Sequence, residues 1–518
     1  MHATLGALGR AWWLALIGLT VVYPLGGFLL RGRITESVDP TAVRNSLMIA
    51  TAAAVVALPG GFLLAWLSER RRWGGRGLAE ITCWMVFLLP SYLLTLGWLT
   101  LVDRPQTVHT DAARFFFGLG GIVALLALKG VPFAYFAARA TLRAMGAEWD
   151  EVVSVFGLSR VRAAGIAARA LLPAAAASAV VVFVESLQEF GIPATLGARI
   201  HLHVMPYDIY ARLATTPADF SGAAGLSMQL AVIAVAAALV HLWLHLRYTT
   251  ALVGARHRGA TPGVPARWES AVGWLCAAVI LGLGFVIPLA GLCLQALGPI
   301  AGKAVPWASM ADSLLYALLG SGLTLAIVLA ILQRRPRSSP LAAMGVEVFS
   351  LASMAVPGVV LGAAYVFAFN RGPIVLYGTP LLLVVAYASA IVPLLIRLLK
   401  APLEQIHGSL GEAAAIHVPD PGRRLLDITL PLRAGPLLWG AFMAFATIVF
   451  ELPISELLAP PGRTPLAVSI VNLMQGMNDT AAARLGLAGL LVVGGLGAGL
   501  MSVASRRFAG SLHTGVGA

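Results

Sequence analysis

Four glutamates stand near the ends of two apolar stretches, and their type and spacing could do chemistry. Glu185 and Glu189 end one apolar stretch, and Glu451 and Glu456 follow another. Ionisable groups at the depth of a membrane are costly, so they tend to face a cavity or a partner. The set could present negative charge to a passing cation. The alternative is that these carboxylates accept hydrogen bonds from loop backbones and hold a gate closed.

Three further residues invite a binding hypothesis. Lys129 lies inside an apolar stretch, where it could meet an anionic substrate, or could snorkel or pair with a carboxylate of the other half. We favour the structural alternatives for this lysine. His201 and His203 alternate as metal ligands do, but two residues are too few for a site. The sequence therefore predicts ordinary loop histidines and no metal site.

The composition identifies the solvent of this chain as lipid. Of the 518 residues, 59% are hydrophobic and only 11% are charged, against about 45–50% hydrophobic in soluble domains. Apolar runs of about 20 residues, each long enough to cross a bilayer as a helix, recur from end to end. We predict an all-α polytopic membrane protein with about 12 spans. They are placed near residues 11–30, 46–67, 81–102, 117–138, 171–187, 228–246, 273–294, 313–332, 346–369, 374–399, 433–450 and 481–502.

The basic residues predict the orientation. The net charge is +13, but the arginines sit in short loops between apolar spans, which does not indicate nucleic-acid binding. With a cytoplasmic amino terminus, about two thirds of the Lys and Arg residues fall on the cytoplasmic side, as the positive-inside rule requires. Both termini are then predicted to be cytoplasmic, in a bacterial inner membrane. Prolines such as Pro90, Pro132, Pro357 and Pro393 are expected to kink the spans.

The chain contains an internal repeat. Ser46 aligns with Ser313, and Glu151 aligns with Glu412 at nearly the same offset. Each half holds an even number of spans, so the sequence predicts two parallel six-helix repeats related by a pseudo-two-fold axis along the membrane normal. The predicted domains are a first half at 1–250, a cytoplasmic linker at 251–272 and a second half at 273–510.

One cytoplasmic loop in each half carries a recognisable motif. Residues Glu412 to Pro431 read EAAAIHVPDPGRRLLDITLP within a predicted loop at about 401–431, and the loop at about 140–172 carries EVVSVFGLSR from Glu151. They resemble the EAA loop of binding-protein-dependent ABC importer permeases. In the second loop Val418 stands where the family has glycine, although Pro419 follows. In the first loop Gly157 is in place and valines replace the alanines. The resemblance implies that these positions couple to an ATPase: Glu151, Gly157, Glu412, Ala413, Ala414, Val418 and Pro419.

Two other segments narrow the resemblance to fused permeases of the ferric iron type. ESLQEFGIPATLG begins at Glu185, and FELPISELLAPPGRTPLAV begins at Phe450. The resemblance implies a two-halved permease subunit of an ATP-driven importer, with ferric iron as the substrate and thiamine, a phosphonate or a polyamine as alternatives. It implies as partners a pair of cytoplasmic ABC ATPases and a periplasmic or extracellular substrate-binding protein.

The resemblance also implies that the chain is not itself an enzyme. ATP and Mg²⁺ belong to the ATPase, so no cofactor is expected here, and the sequence contains no G-x-x-x-x-G-K-[ST] phosphate loop. An ion-coupled secondary transporter is the competing hypothesis, because parallel halves occur there too. The paired EAA-like loops favour the ABC importer.

Overall fold

The structure is a computed structural model that describes most of the chain. The described ranges are residues 22–29, 39–144, 155–157, 160–248, 263–299, 304–334, 356–370, 375–404 and 430–512, with a few single positions between 417 and 428. The prediction of an all-α polytopic protein is confirmed, since these ranges hold helices and no strand. Within them, nine helices are long and apolar enough to cross a membrane, and there are ten spans if the bent pair Arg76–Leu88 and Ser91–Val102 counts as one.

The helices keep the order that the apolar runs predict. In the first half they are α1 Tyr23–Leu29, α2 Pro40–Arg70, α3 Arg76–Leu88, α4 Ser91–Val102, α5 Asp111–Phe116, α6 Leu119–Ala144, α7 Arg160–Gln188, α8 Met205–Ala214 and α9 Phe220–Tyr248. After the linker they are α10 Arg267–Leu281, α11 Ile287–Ala296, α12 Trp307–Arg334, α13 Gly358–Asn370, α14 Pro380–Glu404, α15 Leu430–Val449, α16 Pro453–Leu458, α17 Leu466–Gln475 and α18 Asp479–Leu512. Helices α10 and α11 form one span through a π-helical turn.

The internal repeat reappears in the helix boundaries. The starts of α2 and α12, and those of α4 and α13, are separated in sequence by the same interval as Ser46 and Ser313. The starts of α6 and α14 are separated by the interval between Glu151 and Glu412, and so are both ends of α8 and α17. The predicted spans at 11–30 and 346–369 lie partly outside the described residues, where α1 and α13 are the described parts.

The chain forms two compact units. The first unit comprises Gly32–Lys303 and Leu473–Arg484, and the second comprises Met1–Arg31, Ala304–Asn472 and Leu485–Ala518. These units follow packing rather than the order of the chain, because α10 and α11 pack in the first unit and α1 packs in the second. The boundaries predicted at residues 250 and 272 divide the sequence repeat and are not boundaries of these packed units. They stay a prediction, and so does the two-fold axis.

Within the first unit, close helix packing depends on small residues. Helix α2 packs against α6 and α7, and α4 packs against α11. Gly97 and Gly291 meet where α4 and α11 cross, and a Cβ atom on either would overlap the backbone of the other helix. Small residues let helix backbones approach closely in lipid, where apolar burial gives little drive for association.

The second unit repeats this packing with different residues. Helix α12 packs against α14 and α15, and α13 packs against α1. Gly440 on α15 lies against Leu395 and Leu399 of α14, so the contact again uses a glycine. The outward faces of the spans carry exposed apolar side chains such as Val55 and Leu491, as lipid-facing helices do.

Candidate functional site

The third span is broken at Pro90. Helices α3 and α4 meet there at an angle of 95°. Proline lacks an N–H group and disfavours helical dihedral angles at the preceding residue, so α3 ends at Leu88. The prediction that Pro90 kinks a span is therefore confirmed. A break inside a membrane leaves backbone carbonyl groups without partners, and these must be satisfied from elsewhere.

Lys129 supplies the partners at this break. Its ammonium Nζ lies 3.1 Å from the carbonyl oxygen of Val86, 2.9 Å from that of Phe87 and 2.7 Å from that of Leu89. A lysine ammonium has three N–H donors, so this geometry uses all of them. A cation at the carboxyl end of a helix is also favoured by the helix dipole. Lys129 thus caps α3 from the neighbouring helix α6.

Glu189 lies on the other side of the same break. Its Oε1 atom accepts hydrogen bonds from the Ser91 hydroxyl at 2.6 Å and from the Gly191 backbone N–H at 2.8 Å. Ser91 is the first residue of α4, so Glu189 links the start of α4 to the end of α7. Glu189 and Glu185 both act electrostatically on the Lys129 ammonium, and Glu185 is exposed.

Glu451 occupies the corresponding place in the second unit. Its Oε1 atom accepts from the Ile454 N–H at 2.8 Å, and its Oε2 atom accepts from the Ser455 N–H at 3.0 Å. These donors open helix α16, so the carboxylate caps that helix. The Ser455 hydroxyl lies 2.6 Å from the Tyr387 hydroxyl, which ties the cap to α14.

The two glutamate sites share their place in the repeat but differ in their partners. Gly358, the first residue of α13, stands where Ser91 stands in the first half, and a Cβ atom on it would lie 3.8 Å from Glu451 Oε1. Ala390 stands where Lys129 stands. Glu456 is partly buried one turn along α16, and its N–H donates to the Leu452 carbonyl.

Only part of the two predicted coupling loops falls in the described residues. Gly157 has a φ of +58°, a conformation that favours glycine, and the side chains of Val155 and Phe156 beside it are exposed by 79% and 73%. Val418 is partly exposed. Glu151, Glu412, Ala413, Ala414 and Pro419 lie outside the described residues.

An ion-pair cluster leads into the first of these loops. Arg139 near the end of α6 donates to Glu69 of α2 at 2.6 Å and pairs with Glu80 of α3 at 2.8 Å. Arg143 pairs with the same Glu69 carboxylate at 3.1 Å. The cluster fastens three helices together at the end of α6 where the loop begins. In sequence these arginines indicate only the topology, because their glutamate partners are distant along the chain.

A second ion-pair cluster joins loops within the first unit. Arg199 pairs with Asp103 at 2.7 Å and with Asp479 at 3.2 Å. Arg484, also in the 473–484 segment, donates to the backbone carbonyls of Ala296 and Gly298. These contacts hold a segment from the second half of the sequence within the first unit. The ion pairs of Arg199 with Asp103 and Asp479 were not predicted from the sequence, because no local motif indicates them.

Comparison with known proteins agrees with this architecture. Residues 57–249 match the family described as binding-protein-dependent transport system inner membrane component. The chain is similar to the Fe(3+)-transport system permease protein FbpB 2 of Haemophilus influenzae, at 22% identity over 84% of this chain and 86% of that protein. It is also similar to the ferric transport system permease protein FbpB of Actinobacillus pleuropneumoniae, at 23% identity over 72% of this chain and 58% of that protein.

Another relative matches a shorter part of the chain. The molybdenum transport system permease protein ModB of Escherichia coli is 27% identical over 39% of this chain and 92% of its own length. No solved structure matches.

The helical spans, the broken third span and these similarities define a class, the polytopic membrane permease. Its relatives are transport permeases rather than enzymes. The match to the family described as binding-protein-dependent transport system inner membrane component covers residues 57–249, within the first half of the sequence.

Proposed function

We propose that this chain is the permease subunit of an ATP-binding-cassette importer and that it carries ferric iron. The observation that supports iron most directly is the extent of similarity. The two ferric permeases match this chain over 72% and 84% of its length, which reaches into both halves. The molybdenum permease matches 39% of the chain.

The charges near the broken span favour a cation over an oxyanion. Lys129 is a basic residue inside the first unit that could have met an anion, but its three donors point to the carbonyls of Val86, Phe87 and Leu89. Glu185 is exposed nearby. A cation crossing close to these groups would meet acidic side chains, with the ammonium charge already engaged by backbone.

The partners follow from the family. An importer of this class works with cytoplasmic ATPases, here two copies, and with a soluble binding protein that selects the substrate. ATP and Mg²⁺ bind in the ATPase, and this chain supplies the pathway. The basic loops support an orientation with both termini in the cytoplasm of a bacterial cell.

The coupling loops would transmit the force of ATP hydrolysis. Val155 and Phe156 expose apolar surface beside the turn at Gly157, which suits a groove on an ATPase. The Arg139 and Glu69 ion pair ties the start of this loop to α2, so a push on the loop would reach the bundle through fixed helices. Alternation between inward-open and outward-open forms would then be rigid-body gating.

Reconstitution tests this function. The permease is placed in proteoliposomes with its ATPase, and ATP hydrolysis is measured while binding proteins loaded with ferric iron, thiamine, a phosphonate, a polyamine or molybdate are added in turn. We expect stimulation by the ferric form alone. If only another loaded binding protein stimulates hydrolysis, its ligand is the substrate instead of ferric iron, and the assignment as an ATP-driven importer remains. In a Glu412→Lys variant, hydrolysis should continue without uptake, and unchanged uptake would contradict the coupling role of that loop.

A further inference from the structure

Three side chains that could bind a metal converge in the first unit. Asp39, His203 and Asp208 each offer one ligand atom, and these atoms all lie within 4.8 Å of one another. Asp39 immediately precedes α2, His203 lies in the loop before α8, and Asp208 is in the first turn of α8. The sequence shows only that His203 lies two residues from His201. It does not indicate that Asp39 and Asp208 lie beside His203 in the fold.

Helix α2 holds this cluster together. Asp39 caps the helix, with its Oδ1 atom accepting from the Thr41 N–H at 2.9 Å. One turn further on, the Asn45 side-chain amide donates to the His203 carbonyl at 3.0 Å, and the Ser46 hydroxyl accepts from the Met205 N–H at 2.9 Å. The backbone from the His203 carbonyl to Met205 is therefore fixed before any ligand arrives, which lowers the entropic cost of binding.

The charge of the cluster calls for a cation. Asp208 is buried, with 9% of its surface exposed, and its contact with His203 Nδ1 is long at 3.4 Å. The amino end of α2 carries only about half a positive charge, which is less than the two carboxylates bring. Arg212 also lies close enough to act on Asp208, and a bound cation would add to these positive charges.

The other repeat lacks the cluster. Pro306, Thr464 and Ser469 stand where Asp39, His203 and Asp208 stand in the first half. There the Ser469 hydroxyl lies 2.7 Å from the Ser309 hydroxyl. The two helix starts pack in both halves, so the shared fold does not require the three ligands. Their presence in one half indicates a task particular to that half.

We propose that Asp39, His203 and Asp208 form a binding site for a hard metal cation on the face of the permease that receives substrate. Resting on the proposed function, the cation is ferric iron released by the binding protein. Carboxylate oxygens with one imidazole suit iron, and three protein ligands leave coordination positions for water or for groups of the carrier.

Iron binding to the permease alone tests this site. The full chain in lipid nanodiscs is titrated with ferric nitrilotriacetate, and bound iron is followed by the rhombic high-spin ferric EPR signal and by metal analysis after desalting. Wild type should bind one iron per chain. Asp208→Asn and His203→Ala should each weaken binding at least about tenfold. Asp111→Asn and His201→Ala, which change the same residue types outside the cluster, should bind as wild type does.

Asp39→Asn separates a ligand from a helix cap. Asparagine caps helices about as well as aspartate does, so the thermal stability of this variant should stay near that of wild type while iron binding falls. If wild type takes up no iron, or if His203→Ala and Asp208→Asn bind it as tightly as wild type does, the site does not exist. Because binding is measured without ATPase or uptake, a failure of iron transport would leave the binding result standing, and the reverse also holds.

Discussion

Ser46 and Ser313 make the same hydrogen bond in the two compact units. Ser46 Oγ accepts from the Met205 N–H at 2.9 Å, and Ser313 Oγ accepts from the Leu466 N–H at 2.6 Å. The two serines align in the internal repeat, and so do the two residues that donate to them. Each bond joins the first long span of its unit to the short helix α8 or α17.

These serines predict matched losses of stability. Ser46→Ala and Ser313→Ala each leave a buried N–H without its acceptor, which costs about 1–3 kcal/mol. The bonds share no partners, so the double variant should lose the sum of the two. The unfolding free energy in detergent micelles, measured by denaturant titration, checks this. A loss at only one serine would contradict the equivalence of the two sites, and Ser502→Ala at an exposed serine is the control.

Lys129 predicts a graded response at the broken span. Lys129→Met removes three charge-assisted donors from the carbonyl groups that end α3, and should lower the unfolding free energy by about 3 kcal/mol. Lys129→Gln keeps two donors on a shorter side chain. Its unfolding free energy should therefore lie between those of Lys129→Met and wild type. The same micelle titration measures both variants. Full stability and full uptake in Lys129→Met would show that the lysine does not hold the break.

The carboxylates of the two units predict different outcomes. Both oxygens of Glu451 accept hydrogen bonds from the start of α16, so Glu451→Gln should lower the amount of folded permease and its uptake to the same degree. Glu185 is exposed, so Glu185→Gln should keep the amount of protein and lower uptake of a cationic substrate. Membrane abundance by immunoblot and uptake of radiolabelled substrate separate the two. If Glu185→Gln lowers abundance and Glu451→Gln lowers only uptake, Glu185 has the structural role and Glu451 lies in the pathway.

The exposed turn of the first coupling loop predicts a defect in coupling alone. Phe156→Ser should leave folding intact, because 73% of the side chain is exposed, while ATPase stimulation by loaded binding protein falls several-fold. Gly157→Ala should cost about 1 kcal/mol, because φ is +58° there. Val375→Ser, at another exposed apolar side chain, is the matched control. Normal ATPase stimulation in Phe156→Ser would show that Phe156 does not contact the ATPase.

The long-range features of the fold were predictable where the signal is local or repeated. Apolar runs placed the described spans, and the spacing of Ser46 and Ser313 or of Glu189 and Glu451 identified equivalent residues of the two halves. Pro90 predicted the break, because a proline inside a helix removes one backbone hydrogen bond and its ring clashes with the preceding turn. The pairs that remained hidden join residues distant in sequence: Lys129 with the carbonyl of Leu89, Glu189 with Ser91, and Arg199 with Asp479.

Nothing in the local sequence distinguishes such partners from other polar residues near a span. The Lys129 contact also uses backbone carbonyls, which every residue has, so sequence reasoning looked for a side-chain partner instead. The association of α1 and of α10–α11 with the units was hidden for a related reason. Which helices pack together in lipid depends on fine fit at positions such as Gly97 and Gly291 rather than on overall hydropathy.

The proposed function is tested most directly by transport in a defined system. The permease, its ATPase and an iron-loaded binding protein are combined in proteoliposomes containing ATP, and accumulation of radiolabelled iron in the lumen is followed, with molybdate as the alternative cargo. We expect iron to accumulate only with ATP, and we expect Glu412→Lys to abolish accumulation while hydrolysis continues. Accumulation of molybdate instead, or of iron driven by an ion gradient without ATP, would contradict it.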